Sequence, residues 1–143
     1  MTYPSPELDA EDFVIAYLTG LGLAPAAQIA ARMPAQLTLP FILVQRVAWG
    51  DDWIIDHATV QVDSFASSLT AASTLGRQVH HAMRQLHSKT AVSVDGASWS
   101  VNRCTIEQTP IYVSYEPGGG GAVQDRYVAR YVLDIRLPSI PGY

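Results

Sequence analysis

Three histidines in the second half of the chain, His80, His81 and His87, are the side chains that could most readily bind a metal ion. Two ligands on one helical face need a spacing of three or four residues, whereas adjacent helical residues point about 100° apart. His80 and His81 therefore cannot both bind one ion without other ligands. The spacing favours solvated surface histidines, and we predict no metal site.

The single cysteine, Cys104, is the next candidate for chemistry. One cysteine excludes an intramolecular disulfide and a multi-cysteine zinc site. No motif around Cys104 pairs it with a histidine base, so we expect a small, half-buried strand residue.

Three aspartates, Asp51, Asp52 and Asp56, lie close together in the sequence. Grouped carboxylates can bind a divalent cation or perform acid–base work. A hairpin turn also favours aspartate, because its short side chain hydrogen-bonds to its own backbone. The turn is the preferred interpretation, and we predict no catalytic residue, no cofactor and no enzyme activity. Trp49 and Trp53 flank this turn: exposed at a loop tip they would be aromatic anchors for another protein, and facing inward they would be core residues.

The segment YEPGGGGAVQDR carries four consecutive glycines, Gly118 to Gly121. A phosphate-binding loop would require spaced glycines followed by Gly-Lys-Ser/Thr at the start of a helix, and that pattern is absent. Consecutive glycines leave the backbone with high conformational entropy. We therefore predict a flexible loop at about 116–125.

The composition limits the partners of the chain. Its 143 residues are predicted to form one domain, 1–143, with a real hydrophobic core. Charged residues make up only 15%, against about 25% in an ordinary soluble domain, which suggests that another protein covers part of the surface. The net charge of −4 provides no basic patch for nucleic acid or anionic lipid. We expect no membrane span and no export signal.

Two helices are predicted. Ser5, Pro6 and Glu7 form a helix-start signal, so the first helix should run from about Pro6 to Thr19, with Gly20 and Gly22 ending it. Ser67 and Ser68 lie where a second N-cap belongs, and apolar residues follow at helical spacing to about His87.

Strand patterns fill most of the remaining chain. Segment 40–49 is rich in β-branched and aromatic residues and should be a central strand; segment 28–33 is a short edge strand or a helical turn. Segments 53–66 and 126–137 alternate apolar and polar residues. A turn at Asp95-Gly96 precedes a long extended segment that is predicted to be interrupted near Pro110.

These elements predict an α+β fold: one mostly antiparallel sheet of four to six strands with two helices packed on one face. The other face carries polar residues from the last strand and from segment 53–66. Its few charges and several valines are typical of a surface that meets another subunit or lines a lumen.

The order of these segments resembles the tail terminator proteins of long-tailed bacteriophages, the group that includes the lambda tail terminator. An acidic first helix, PELDAEDFVIAYL, leads to a strand with an arginine, PFILVQRVAWG. The returning strand HATVQVDSFASS runs directly into the helix LTAASTLGRQVHHAMRQLH. The terminal strand DRYVARYVLDIRLP resembles the Arg-Tyr strand of that family.

The resemblance implies a structural role. Members of the family form a ring of six subunits at the head-proximal end of the tail tube, stop polymerisation of the tube and present a surface for head joining. The implied partners are further copies of the chain, the tail tube protein and a head-completion or neck protein, with DNA passing through the lumen without specific binding. The implied location is the virion tail, after assembly in the host cytoplasm.

Strand faces and loop tips give the predicted contacts with a neighbouring subunit or the tube. They are Trp49, Asp51, Asp52, Trp53, Asp63, Gly118, Gly119, Gly120, Gly121, Arg126, Arg130, Asp134 and Arg136. Two other classes stay open: a head–tail adaptor, neck or minor capsid protein, and a small α/β enzyme or ligand-binding module. The last would require a concave pocket with convergent polar groups.

Overall fold

The structure is a computed structural model that describes residues 9–48, 55–86, 91–94, 96–116 and 122–136. Within these residues the chain forms two α-helices, a five-stranded sheet and a small two-stranded sheet. In chain order the elements are α1 (Ala10–Gly20), β1 (Ile29–Ala30), β2 (Phe41–Ala48), β3 (Ile55–Ala66), α2 (Leu69–Arg84), β4 (Val92–Val94), β5 (Ala97–Trp99), β6 (Val101–Tyr112) and β7 (Asp125–Arg136). The predicted α+β class is confirmed.

The large sheet has the strand order β1-β2-β3-β7-β6. Only the short β1–β2 pair is parallel, and every other pair is antiparallel. The last strand among the described residues, β7, lies inside the sheet and pairs with β3 along its full length. The segment 28–33 contributes only the two-residue edge strand β1, so most of the outer edge of β2 has no strand beside it among the described residues.

Both helices pack on the same face of this sheet. Tyr17 from α1 is largely buried, and its hydroxyl donates a hydrogen bond to the Ala82 carbonyl of α2 at 2.6 Å. The fully buried side chains of this main core include Phe13, Val14, Leu18, Ile42, Val44, Ala58, Val60, Met83, Val101, Tyr131 and Leu133. The predicted placement of two helices over one face is therefore confirmed.

The first helix begins later than the sequence predicts. Asp9 has an extended backbone, and its carboxylate accepts a hydrogen bond from the Glu11 N–H at 2.9 Å, so Asp9 is the N-cap. The prediction of a start at Pro6 was wrong, because an aspartate followed by acidic residues is also a strong start signal. Gly22, with φ of +71°, ends the helix region as predicted.

The second helix matches its start signal. The Ser68 hydroxyl accepts a hydrogen bond from the Ala71 N–H at 3.1 Å. The helix ends at Arg84 instead of about His87, because the Gln85 N–H bonds to the Ala82 carbonyl in a tighter turn. Gly76 lets α2 approach the sheet closely, since an added Cβ would lie 3.0 Å from the Tyr127 Cβ.

The other face of the sheet, here called the outer face, is not polar throughout. Phe41, Leu43 and Phe65 are buried there, at the end of the sheet where β2 begins and β3 ends. Partly buried apolar residues pack against them from β1, from the irregular segment between β1 and β2, and from beyond β6: Ala30, Met33, Leu37, Leu39 and Tyr115. The sequence predicts this face from the polar residues and valines of β3 and β7, and the outer cluster is an apolar part that this prediction did not include.

The long extended segment after the second helix contains a hairpin and one long strand. Gly96 has a φ of +81° between β4 and β5, as expected for the predicted turn. Strand β6 continues through Pro110, but its pairing with β7 shifts register between Gln108 and Ile111. Among the described residues no helix is both long and apolar enough to cross a membrane.

Candidate interaction surface

The polar part of the outer face is built from residues that lie side by side on β3, β7 and β6. Gln61 pairs with Arg130, which pairs with Gln108; one end of the face has the row His57, Asp134 and Arg103. Directly opposed residues of antiparallel strands point to the same face. Side chains far apart in the sequence thus come together on one surface.

Asp134 is the centre of one polar group on this face. Its Oδ1 lies 2.7 Å from the His57 Nδ1, and its Oδ2 accepts a hydrogen bond from the Arg103 Nε at 2.9 Å. The residue is only 8% exposed. Its negative charge is therefore matched locally by Arg103, and its carboxylate is occupied on both oxygens.

Asp63 is the centre of a second polar group, near the outer cluster. Its Oδ1 accepts a hydrogen bond from the Gln61 Nε2 at 2.9 Å, and its Oδ2 lies 3.3 Å from an Arg126 guanidinium nitrogen. The residue is 2% exposed. Burial raises the pKa of Asp63, while the hydrogen bond from Gln61 and the charges of Arg126 and Arg130 act in the opposite direction.

The raised pKa of Asp63 predicts a pH dependence of stability. The folded state binds the Asp63 proton more tightly than the unfolded chain does, so protonation of Asp63 stabilises the fold. This stabilisation by the bound proton is complete below about pH 4 and is lost as pH rises through the folded pKa of Asp63. We expect Asp63→Asn, compared with wild type, to be relatively more stable at pH 7 than at pH 4. Urea denaturation of both proteins at each pH measures the difference, and a constant or reversed difference would contradict it.

Arg126 joins this polar group to the outer cluster. Its Nε donates a hydrogen bond to the Val113 carbonyl at 3.0 Å. Its guanidinium carbon lies 5.3 Å from the centre of the Tyr115 ring and 6.0 Å from that of Phe65. One side chain thus contacts β3, the chain beyond β6 and two aromatic rings.

The predicted contact residues fall into three groups. Arg130, which bonds to Gln61 at 3.0 Å, and Arg126 are half-buried, whereas Asp63 and Asp134 are buried. A role for Asp63 in an interface stays a prediction. Because Asp63 is buried, it could act there only by positioning the side chains of Gln61 and Arg126. The Arg136 side chain and eight other predicted residues lie outside the described residues: Trp49, Asp51, Asp52, Trp53, Gly118, Gly119, Gly120 and Gly121.

Exposed apolar side chains on β6 and beside β7 were not predicted. Ile106, Ile111 and Tyr112 on β6 are 37%, 47% and 44% exposed, and Val123 is 58% exposed. β6 is an edge strand: among the described residues no strand pairs with it on the side away from β7. The register shifts around Glu107 and Pro110 break the alternation along β6, so the sequence pattern does not show which face each side chain joins. Ile111 lies opposite the outer-face residue Val128, whereas Ile106 lies opposite the core residue Tyr131.

The histidines of α2 differ in their surroundings. His81 is exposed and bonds to Gln85, whereas the Nδ1 of His80 lies 2.8 Å from the hydroxyl of Tyr131, which is fully buried. Burial, and to a lesser degree the charge of Arg84, lower the pKa of His80. His80 is half-buried, so the prediction of a solvated surface residue holds only in part for it, and His87 lies outside the described residues.

Cys104 is half-buried on β6, as predicted. Burial, with a smaller effect of the Asp134 charge, raises the pKa of its thiol to about 12. The thiol is therefore protonated near neutral pH and is a poor nucleophile. Among the described residues no group of three His, Cys, Asp or Glu side chains could hold a metal ion.

An apolar cavity of about 390 Å³ lies between the first half of α2 and the segments on either side of β1. It is lined by Leu23, Leu39, Pro40, Ala66, Ser67, Ala71, Thr74, Leu75 and Gln78. These lining residues include no titratable side chain. The cavity could hold an apolar group, and its polar lining consists of the Ser67 and Thr74 hydroxyls and the Gln78 amide.

Comparison of the sequence with protein-family models and with curated proteins finds no match in either case.

Proposed function

We propose that this protein is a structural phage assembly protein of the tail terminator type. It forms a ring at the head-proximal end of the tail tube, stops polymerisation of the tube and provides the surface for head joining. In this role its partners are other copies of the chain, the tube protein and a neck or head-completion protein, and its place is the virion tail.

The apolar edge at β6 is the observation that carries this proposal. Ile111 exposes apolar surface on the outer face of this edge strand, and Ile106 and Tyr112 expose it on the face that carries the helices. Val123, just before β7, is also exposed. Exposed apolar side chains along an edge strand that has no strand beside it suit a contact with another protein. A closed ring joins two different surfaces of each subunit, so an edge that differs from the opposite edge suits it.

The polar groups of the outer face support a contact role more than a catalytic one. Asp63 and Asp134 each pair with an arginine. A catalytic carboxylate must reach substrate, yet both of these are buried and their oxygens are already engaged. Surface with internally matched charges can meet another protein at a low desolvation cost.

Negative-stain electron microscopy, paired with the mass in solution, tests the proposal. We expect wild-type protein to form six-fold rings with a central hole at high concentration. Ile111→Glu should weaken their formation at least about tenfold, because it places an unpaired carboxylate in an apolar contact. Leu69→Glu adds the same charge at an exposed position on α2 and is the matched control.

Two results would contradict this proposal. One is a wild-type protein that neither forms rings nor caps purified tube tips. The other is equal ring formation by Ile111→Glu and the Leu69→Glu control, which would exclude the β6 edge as the contact.

The apolar cavity supports a second candidate, a ligand-binding module. Its volume of about 390 Å³ falls within the usual range of small-molecule sites. A small apolar molecule that co-purifies with the protein in native mass spectrometry would favour this role over assembly.

A further inference from the structure

The chain between β6 and β7 forms a two-stranded extension of the sheet, here called the hairpin stalk (residues 113–116 and 122–124). The Val113 N–H donates to the Arg126 carbonyl at 2.9 Å. Tyr115 and Gln124 exchange two backbone hydrogen bonds, of 2.9 and 2.8 Å. A two-stranded hairpin is marginally stable in water without further packing, so the orientation of the stalk depends on what anchors it.

The anchor is a layer of side chains on the outer face. The Tyr115 ring packs edge-on against the Phe65 ring, with 5.5 Å between their centres. Arg126 covers both rings and also bonds to the Val113 carbonyl and to the Asp63 carboxylate. These contacts tie the stalk to β3, the strand on the far side of β7.

Burying the Asp63 carboxylate costs desolvation free energy, so a gain in the stability of the fold does not by itself explain why a carboxylate lies here. Asp63 gives up hydration, and a buried ion pair often stabilises a fold no better than apolar residues of the same size. A planar guanidinium, however, donates in fixed directions, so a carboxylate acceptor restricts where Arg126 can lie. Burial of the Asp63–Arg126 pair is thus better explained by orientation than by net stability.

We propose that the Asp63–Arg126 pair is a positioning latch that holds the hairpin stalk in the single orientation in which the stalk can contact a neighbouring subunit. The identity of that neighbour rests on the proposed function, whereas the latch itself does not. Val123, on the stalk, is the exposed apolar group that the latch would present. Asp63 and Arg126 therefore act through the stalk, as positioning residues.

Backbone amide hydrogen exchange of the full-length protein tests the latch without any need for assembly. Arg126→Lys keeps the positive charge but removes the planar, forked donor. We expect the Tyr115 and Gln124 amides to exchange at least about tenfold faster in this variant, because the stalk opens locally more often. The Val60 and Leu133 amides, in the middle of the sheet, should keep their wild-type rates.

Arg103→Lys is the matched control, since Arg103 also pairs with an aspartate on the outer face but at the other end of the sheet. It should leave the stalk amides unchanged. Tyr115→Leu is a second variant that leaves the ion pair intact and removes only the ring contacts of the stalk. It too should speed exchange at Gln124.

Wild-type exchange rates at the stalk in both Arg126→Lys and Tyr115→Leu would overturn the latch, as would equal acceleration in the Arg103→Lys control. The contact role is measured separately, by the mass in solution at concentrations where wild type assembles. Arg126→Lys should weaken association at least about tenfold; unchanged association would overturn the contact role. A wild type that never assembles defeats the proposed function and the contact role, but it leaves the exchange test of the latch unaffected.

Discussion

Replacing Arg126 by methionine is expected to lower the free energy of unfolding by about 3–5 kcal/mol. Methionine fills similar space but leaves the Asp63 carboxylate, which is 2% exposed, with Gln61 as its remaining side-chain hydrogen-bond partner. Removing one partner of a buried ion pair leaves an uncompensated charge in a medium that solvates it poorly. Urea denaturation near neutral pH measures the loss.

The double variant Asp63→Asn/Arg126→Met separates the buried charge from lost packing. If the charge is the main cost, the double variant should recover most of the stability that Arg126→Met loses. Arg130→Met is the matched control on the same strand and face, because Arg130 bonds to the neutral Gln61 and acts on Asp63 only through its charge, without a hydrogen bond to the carboxylate. We expect this control to cost less than about 1 kcal/mol. A double variant as unstable as Arg126→Met would contradict the explanation.

Local signals in the sequence were sufficient for some elements of the fold. Ser68 caps α2 where the N-cap pattern predicts, and the apolar spacing of that helix follows from one amphipathic face. The alternation in β3 correctly assigned Ala58, Val60 and Val62 to the core. Each of these features depends on residues only a few positions apart, which is why the sequence alone reveals them.

The strand order could not be obtained in the same way. β7 lies between β3 and β6, although it comes after both of them in the described sequence. A strand buried on one face and polar on the other has the same alternation at the edge of a sheet and inside it. Only pairing between distant segments places β7 inside the sheet, and no local pattern records that pairing.

The surroundings of Asp63 were hidden for a related reason. Its alternation with Gln61 and His57 indicates a solvated polar face, yet the residue is buried. Its cross-strand neighbour Leu43 belongs to the outer cluster, which apolar residues of segment 31–40 also join. That segment has no helical or strand periodicity, so nothing in its sequence shows that it covers the sheet.

The outer cluster gives the second large effect, since Phe65→Ala should lower the free energy of unfolding by about 3–5 kcal/mol. Phe65 is fully buried; its ring packs against Phe41, with 6.3 Å between centres, and against Tyr115. Alanine leaves a cavity under Arg126 and removes the ring on which Tyr115 rests. Urea denaturation measures the global loss, and amide exchange at Gln124 reports the stalk.

Phe13→Ala separates the two apolar clusters, because Phe13 is also fully buried but lies in the main core under α1. Its global cost should be similar, at about 3–5 kcal/mol. The Gln124 amide, which we expect to exchange by local opening of the stalk, should speed up in Phe65→Ala and stay at its wild-type rate in Phe13→Ala. Equal acceleration in both variants would mean that the stalk opens only when the whole sheet unfolds. The outer cluster would then have no separate part in holding the stalk.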